Sequence, residues 1–596
     1  MARRLEVGQG RTIFARVRAR SPFQPVPLLA TTSNSRSILR LFAALAIGLG
    51  GIAGMLRAAE YHVAIDGADT AAGTRTAPFR TIQRAADVMQ PGDVCTVHAG
   101  TYREWVKPPR GGTSEATRIT YRAAPDENVV LKGSERVRTW TKQGGTLWRL
   151  DLPDAFFGAS NPFKRNLAGE WLHFGFEYHL GDIYLDGVGL QERLSRNEVA
   201  AAPLSWWVEP AEGRTILQAN FGNADPNERV TEIAVRPCIL FPELQGLGFI
   251  TVKGLAFAHA ASQWAYWNAP QEAALGTGYG HHWIIEHCRF FDMRCVALVC
   301  GNPAARPEDG LDVAAVGRHV VRRNSFARCG QAAIHGNRGW AGSLIEGNLI
   351  EDINQKNDFG GMETGGMKIH YAVDTTIRSN VIRRVRGRRP AVYSHPKGWG
   401  VQFVGLWVDW GAQGTRVTGN VVYDVEGWAT FIQNNHGSPI LIDNNILAGE
   451  VSLNSQGVIF AHNLFVRSPW LIRKGANDAP YWEPHSGRRT GVAPIPMAHV
   501  KWWNNVFVGK GADSFPQETG YTSDWNVFYG GAAKTKWSDV HSRVASLKPG
   551  VFFRDLPNGV EIAFQADAAP RLVGAPLITR EFAGRFALTG QGIEDA

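Results

Sequence analysis

The chain of 596 residues carries only 6 cysteines, and no two of them form a CxxC pair. That count and spacing exclude a small disulfide scaffold. The six (Cys95, Cys238, Cys288, Cys295, Cys300 and Cys329) stand mostly in apolar, strand-like runs such as VCTV and ALVC, where buried, inert thiols are expected. Long hydrophobic runs are equally scarce. Only residues 41–56, LFAALAIGLGGIAGML, approach membrane length, so no integral membrane domain is expected beyond an N-terminal signal or anchor. An excess of one charge is also missing from most of the chain. Lys and Arg total 63 against 54 Asp and Glu, but residues 1–59 hold nine arginines and a single acid, Glu6. From Glu60 onward the two signs nearly cancel, which speaks against nucleic acid as a partner. With 66 Gly, 20 Trp and 44% hydrophobic residues, neither a disordered tail nor a collagen-like fibre fits.

Residues 1–59 read as a leader. A basic start, an apolar stretch and small residues at Ala58 and Ala59 are the pattern of an export signal, with an uncleaved anchor as the alternative. The expected location is periplasmic or extracellular.

What is abundant is a repeat. An apolar pair, polar residues, Asn and a second apolar stretch recur in VVRRNSF (Asn324), LIEGNLI (Asn348), TIRSNVI (Asn380), RVTGNVV (Asn420), IDNNILA (Asn445), IFAHNLF (Asn463), WWNNVFV (Asn505) and SDWNVFY (Asn526). In IIEHCRFF, Cys288 takes the Asn slot, and the spacings from it are 36, 24, 32, 40, 25, 18, 42 and 21. Short spacings match one coil of a solenoid and long ones a coil carrying a loop. An Asn at a coil corner tolerates the left-handed conformation and can bond its amide to the Asn above and below, so these residues predict a ladder.

The fold class is therefore all-β, a right-handed parallel β-helix with an inserted β-sandwich-like domain. Residues 60–136 read as its N-terminal part, capped by an amphipathic helix at 82–89 between Pro78 and Pro91-Gly92. The repeat lapses at 137–236, where TLWRLDLP, DIYLDGVGL and TILQANF read as antiparallel strands of the insert. Residues 237–530 form the main helix and 531–596 a C-terminal extension.

The densest polar and aromatic segments fall on what should be consecutive coils: ETGGMKIHYAVD, GLWVDWGAQGTRV and FIQNNHGSP. Strands of adjacent coils lie about 4.8 Å apart, so carboxyls on neighbouring coils can reach the roughly 5–5.5 Å of a retaining glycosidase. Asp409, flanked by Trp407 and Trp410, is the sharpest candidate. Alternation along a strand puts Trp407 on its face as an aromatic wall, with Trp410 on the other side unless the strand ends there. The plainer reading is an ion pair from Asp409 to Arg416 or Lys368. His335, His370 and His436 lack metal-ligand spacing and read as hydrogen-bonding residues, so neither metal nor cofactor is expected. Lys368 and Arg378 raise a lyase chemistry that would require Ca²⁺ on an acidic cluster, and none stands out. The run RRVRGRR at 383–389 reads as a solvated loop.

These residues resemble glycoside hydrolase family 120. The similarity runs through EYHVAIDGAD, PFRTI, AGTYREWVKP, VVLKGSERV, HLGDIYLDG, NFGNADPNE and FITVKG to GLWVDWGAQGTRV and NHGSP. The resemblance implies a two-step, retaining hydrolysis of β-xylosides or related oligosaccharides, with Asp409 as nucleophile and Glu363, in the ETGG phrase, in substrate binding or assistance. Trp407, Trp410, Lys368, His370, His436 and Gln413 would contact the sugar. At the family's acid/base glutamate, three residues before the His-Gly of the NHG phrase, this chain has Gln433. An amide cannot exchange a proton near neutral pH. Either Glu363 takes that part, which is the expected solution, or Glu426 does, or the chain is a non-catalytic carbohydrate-binding β-helix.

Overall fold

The computed structural model describes residues 58–169, 172–174, 176–265, 271–301, 312–387, 403–436, 439–472, 478–546 and 548–565, together with the strand Thr12–Arg18. The apolar run at 41–56, residues 388–402 of the long segment RGRRPAVYSHPKGWGVQFV before Asp409, Gly437 and Ser438 of the NHGSP phrase, and residues 566–596 lie outside them. No helix among the described residues is long and apolar enough to cross a membrane.

Three sheets of parallel strands run along the molecule, two of 13 strands and one of 8, and successive coils add a strand to each. This is a right-handed parallel β-helix. One register position on the second sheet is filled by Phe257, Phe290, Phe326, Ile350, Ile382, Val422, Leu447, Phe465, Phe507 and Phe528. Where this column is aromatic the rings stack at 4.8–5.0 Å, the rise from one strand to the next. The column explains the apolar residue that follows each Asn: it fills the interior of its coil.

The Asn ladder is continuous. Asn380 donates through Nδ2 to Asn420 Oδ1 at 2.9 Å and to the Ile345 carbonyl at 3.0 Å, and its Oδ1 accepts from Asn348 N and Nδ2 at 3.0 and 2.9 Å. The same pattern carries from Asn324 to Asn526, and Cys288 joins it through its backbone N–H, which donates to Asn324 Oδ1 at 2.9 Å, and its Sγ, which lies 3.6 Å from the Val252 carbonyl. One expectation is corrected. The left-handed residue is not the Asn but its predecessor: Arg323, Ser379, Asn444, His462, Asn504 and Trp525 have φ between 55 and 58°. The Asn must turn its amide inward to meet two coils, so the preceding residue makes the corner and points outward, where many side chains fit. Replacing Asn380 with Ala would strand the buried Asn348 donors and the Ile345 carbonyl. We expect a loss of about 3 kcal/mol, read as a lower urea midpoint at unchanged slope.

At the N-terminal end the helix Ile82–Val88 lays Ile82, Ala85 and Ala86 on the open coil. Glu104 closes its first turn by accepting from Ile82 N and Gln83 N at 3.0 and 2.9 Å. The insert consists of a four-stranded and a five-stranded sheet that share one core, with Ile183 and Ile233 on the first and Trp148, Trp206 and Leu217 on the second. It docks on the β-helix through an apolar cluster, in which Leu167 and Leu180 join Trp264, Val296 and Phe359, and through ion pairs and a ring stack. Arg294 reaches Glu192 at 2.8 Å and Asp358 at 2.9 Å, Lys356 reaches Asp182 at 2.6 Å, and the rings of Tyr184 and His259 stack at 3.6 Å.

All six cysteines are buried and free. Residues 383–387 of the 383–389 run depart from expectation, and Arg388 and Arg389 lie outside the described residues. Residues 381–385 form a strand, Val381–Val385, and Arg383 is buried, bonding Glu351 at 2.6 Å and the Gly559 carbonyl at 2.9 Å. Arg386 pairs with Asp424 at 2.8 Å. Acids on adjacent coils stand in register with these arginines, a pairing that a linear reading of the run does not reveal. A C-terminal hairpin, Gly550–Leu556 and Gly559–Gln565, covers this outer face, with Phe553 stacked on Tyr423 at 4.6 Å. Thr12–Arg18, within the segment read as leader, pairs antiparallel with the hairpin's second strand, Gly559–Gln565.

Candidate active site

The candidate residues gather on the outer face of the eight-stranded sheet, on the strands Ala332–Gly336, Thr364–His370, Phe403–Asp409, Trp428–Gln433 and Glu450–Asn454. Alternation decides which residues face out. Met367, Ile369, Leu406, Val408 and Ile432 enter the core, which leaves Lys368, His370, Trp407, Asp409, Phe431 and Gln433 on the other side. Pairing then builds two rows. One reads His335, Lys368, Trp407, Phe431 and Ser452, and the other reads His370, Asp409, Gln433 and Asn454. The glycines of the TGG phrase allow the coils to close up here: a Cβ on Gly366 would meet the Gly405 carbonyl oxygen at 2.6 Å and Ile382 Cγ2 at 2.6 Å.

Lys368 is the centre of the site. Its Nζ lies 2.7 Å from Glu363 Oε1, 3.3 Å from Asp409 Oδ2 and 3.9 Å from the centroid of the Trp407 ring. One ammonium thus holds those two carboxylate oxygens within about 6 Å of each other. His335 Nε2 takes the other Glu363 oxygen, Oε2, at 3.1 Å. His370 Nε2 stands 3.5 Å from Asp409 Oδ2. Asp409 Oδ1 is buried and has no hydrogen-bond partner among the described residues. Glu363 sits at φ 75°, a strained backbone that points to a position over-determined by its contacts.

The two carboxyls are driven apart. Burial pushes Asp409 up to about 6, with Lys368 pulling it down and Glu363 pushing it further up. Burial opposes charge on Glu363 as well, but Lys368 and His335 outweigh it and bring Glu363 to about 2. Glu363 is therefore a carboxylate with no proton to give near neutral pH. Burial holds His335 below the usual histidine range and His370 well below it, where the Lys368 charge also disfavours a second cation.

Several expected contacts are placed differently. Trp407 is 1% exposed, stacked on Phe431 at 5.3 Å, capped by Lys368 and donating from Nε1 to Gln433 Oε1 at 3.1 Å. It braces the site and offers no open ring to a sugar. Trp410 follows the strand's last residue at φ 41° and packs with Tyr371 and Trp482. The hairpin Asp478–Trp482 with Arg489–Pro494, not anticipated from the sequence, engages the remaining two. The Nε2–H of His436 is shared between the carbonyls of Ala479 and Ala493, both at 3.0 Å, and Gln413 Nε2 donates to the carbonyls of Glu483 and Ser486, both at 3.0 Å. Arg416 belongs to Asp443, at 2.9 Å, so the ion pair of Asp409 is the one with Lys368. Glu426 is exposed beside Arg386, two residues before the strand Trp428–Gln433 begins and seven residues before Gln433 at its other end. No group of three His, Cys, Asp or Glu among the described residues is placed to hold a metal ion.

A buried, cation-bridged pair of carboxylates lies on the outer face of a parallel β-helix that carries a two-sheet insert, and the comparisons that follow place this architecture among the glycoside hydrolases. The model for the glycoside hydrolase 120 insertion domain matches residues 137–205, that for the right handed beta helix region matches 274–465, and a domain of unknown function, DUF1565, matches 65–107. The solved structure of XylC, in complex with xylose, is 32% identical, with a TM-score of 0.75 over 85% of this chain and 89% of XylC. Another, described as a glycoside hydrolase, is 12% identical with a TM-score of 0.46 over 79% of this chain and 96% of its own. The uncharacterized protein YwoF of Bacillus subtilis is 35% identical over 72 residues, 12% of this chain and only 15% of YwoF. The chain belongs to glycoside hydrolase family 120.

Proposed function

We propose that the chain hydrolyses β-xylosides or related plant-glycan oligosaccharides in two steps, with net retention at the anomeric carbon. The observation that carries this reading is Asp409: one carboxylate oxygen is held by Lys368 and approached by His370, while the other, Oδ1, has no hydrogen-bond partner among the described residues. Oδ1 attacks the anomeric carbon and forms a glycosyl-enzyme, and water then displaces the sugar. Likeness to a protein that binds xylose supports xylose as the sugar. Glu363, expected as the acid/base, is assigned a positioning part instead: both its oxygens are engaged, and it fixes Lys368 against Asp409. The configuration is checked by following an aryl β-xyloside by proton NMR. β-Xylose appearing first supports the reading, and α-xylose appearing first contradicts it.

Attack requires ionised Asp409, so kcat/KM should fall about tenfold per pH unit below the Asp409 value of about 6. The Glu363 charge pushes that value up and the Lys368 charge pulls it down. Glu363→Gln should therefore shift the acid limb to lower pH and Lys368→Met should shift it to higher pH. A limb that stays in place in both variants contradicts the positioning assignment.

A second reading, sugar binding without hydrolysis, is favoured by one observation, the amide of Gln433 beside Asp409. Calorimetric binding of xylo-oligosaccharides with no turnover of any glycoside would establish it. An unsaturated, ultraviolet-absorbing product that requires Ca²⁺ would instead mark a lyase. We also propose export, on the basic and apolar pattern of the leader. N-terminal sequencing of the protein from periplasm or medium checks it: a new terminus near Glu60 is expected, and an intact Met1 in the cytoplasm contradicts it.

A further inference from the structure

Gln433 stands where the resemblance to the family expects the glutamate that protonates the departing oxygen. The two residues are paired in register on adjacent strands and share one outward row. Because indole Nε1–H can only donate, the Gln433 atom bonded to Trp407 at 3.1 Å is Oε1, so the side chain is locked with its amide in the site. No described neighbour replaces it. Glu363 has one oxygen on Lys368 and the other on His335. His370 is buried beside the Lys368 ammonium. The next coil supplies Asn454 to the same row. Asp374 lies past the strand's end on His485, at 2.7 Å, and Glu450 bonds Trp428 Nε1 at 2.6 Å at the strand's far end. The segment RGRRPAVYSHPKGWGVQFV, residues 386–404, contains no acidic residue.

Resting on the hydrolase reading above, we propose that this site acts on glycosides whose aglycone departs as a stable anion, above all phenolic glycosides, without general-acid help. In the first step Asp409 Oδ1 bonds to the anomeric carbon and the bond from that carbon to the aglycone oxygen breaks, its electron pair leaving with the phenolate. In the second step a water oxygen bonds to the same carbon, the ester bond to Asp409 breaks, and the water proton passes to solvent. With no carboxylate at position 433 to deprotonate that water or to repel anions, a small anionic nucleophile can take its place.

The test uses the full chain with a series of aryl β-xylosides running from dinitrophenol to unsubstituted phenol, and with xylobiose. We expect kcat/KM to fall steeply as the phenol becomes less acidic and xylobiose to be cleaved more slowly than the nitrophenyl substrate by on the order of 10²–10⁴-fold, the usual contribution of general acid–base catalysis. Gln433→Glu should recover that factor on xylobiose and flatten the series. Sodium azide should accelerate the unaltered protein on the dinitrophenyl substrate and yield β-xylosyl azide, a readout independent of whether the variant folds. A flat series with xylobiose cleaved as fast as aryl xylosides, alongside labelling of Asp409 by a 2-fluoro-xyloside, overturns this inference and leaves the hydrolase reading intact. No turnover and no label overturns both.

Discussion

Asp409→Asn is expected to reduce turnover of aryl β-xylosides by on the order of 10⁴–10⁶-fold, the scale on which removal of a catalytic-triad residue acts in well-studied hydrolases. The substitution keeps the side chain's shape in a site where Asp409 is 4% exposed, so packing is preserved. It removes the electron pair that bonds to the anomeric carbon. It also leaves the Lys368 ammonium with Glu363 alone, at 2.7 Å, an ion pair complete enough to keep the neighbouring coils in place. Thermal unfolding of the variant should therefore stay close to that of the parent while kcat collapses. Steady-state kinetics beside a melting curve separates the two. A variant that keeps more than about one hundredth of the activity contradicts the assignment of the nucleophile.

The second large effect is on stability. Arg294 is buried, with Nη2 on Glu192 at 2.8 Å, Nη1 on Asp358 at 2.9 Å and Nε donating to the His179 carbonyl at 2.9 Å. It ties the insert to the β-helix, since Glu192 belongs to the insert and Asp358 to a coil. Arg294→Met would strand two buried carboxylates, at a cost of about 3–5 kcal/mol. Burial already raises both acids above their usual range. Without the cation they rise further, so the folded variant binds protons that its unfolded form releases. Its deficit should therefore shrink as pH falls from 8 towards 5. Urea titrations across that interval check the sign, and a deficit that grows on acidification contradicts this description of the docking contact.

Much of this fold was legible in the chain because each coil repeats the same physical solution. The Asn at each corner and the apolar residue behind it mark the ladder and the interior column, and the lapse of that phrase marks the insert. The corner's left-handed residue was assigned one place too late because the phrase shows only that a turn and an amide are needed, not which residue provides each. The site was legible as a neighbourhood and not as a geometry. Asp409, Lys368, His370, Glu363 and Gln433 do converge. The charge relation among them depends on register: His335 reaches Glu363 across 28 positions, and that pair turns an expected proton donor into a fixed anion. Alternation correctly put Trp407 on the face of Asp409, but it could not show that Lys368 and Phe431 would close over the ring. That a hairpin engages His436 and Gln413 is not legible in the sequence, because this hairpin is antiparallel and lies outside the repeat.

The direct test of Asp409 as a glycosyl-bearing nucleophile is covalent capture. The full chain is incubated with 2-deoxy-2-fluoro-β-xylosyl fluoride, whose departing fluoride needs little protonation, and its intact mass and peptides are measured. One fluoroxylosyl unit per chain, located on the peptide that contains Asp409 and absent from Asp409→Asn, is the expected result. An unmodified protein, or a label on Glu363 or any other residue, contradicts it.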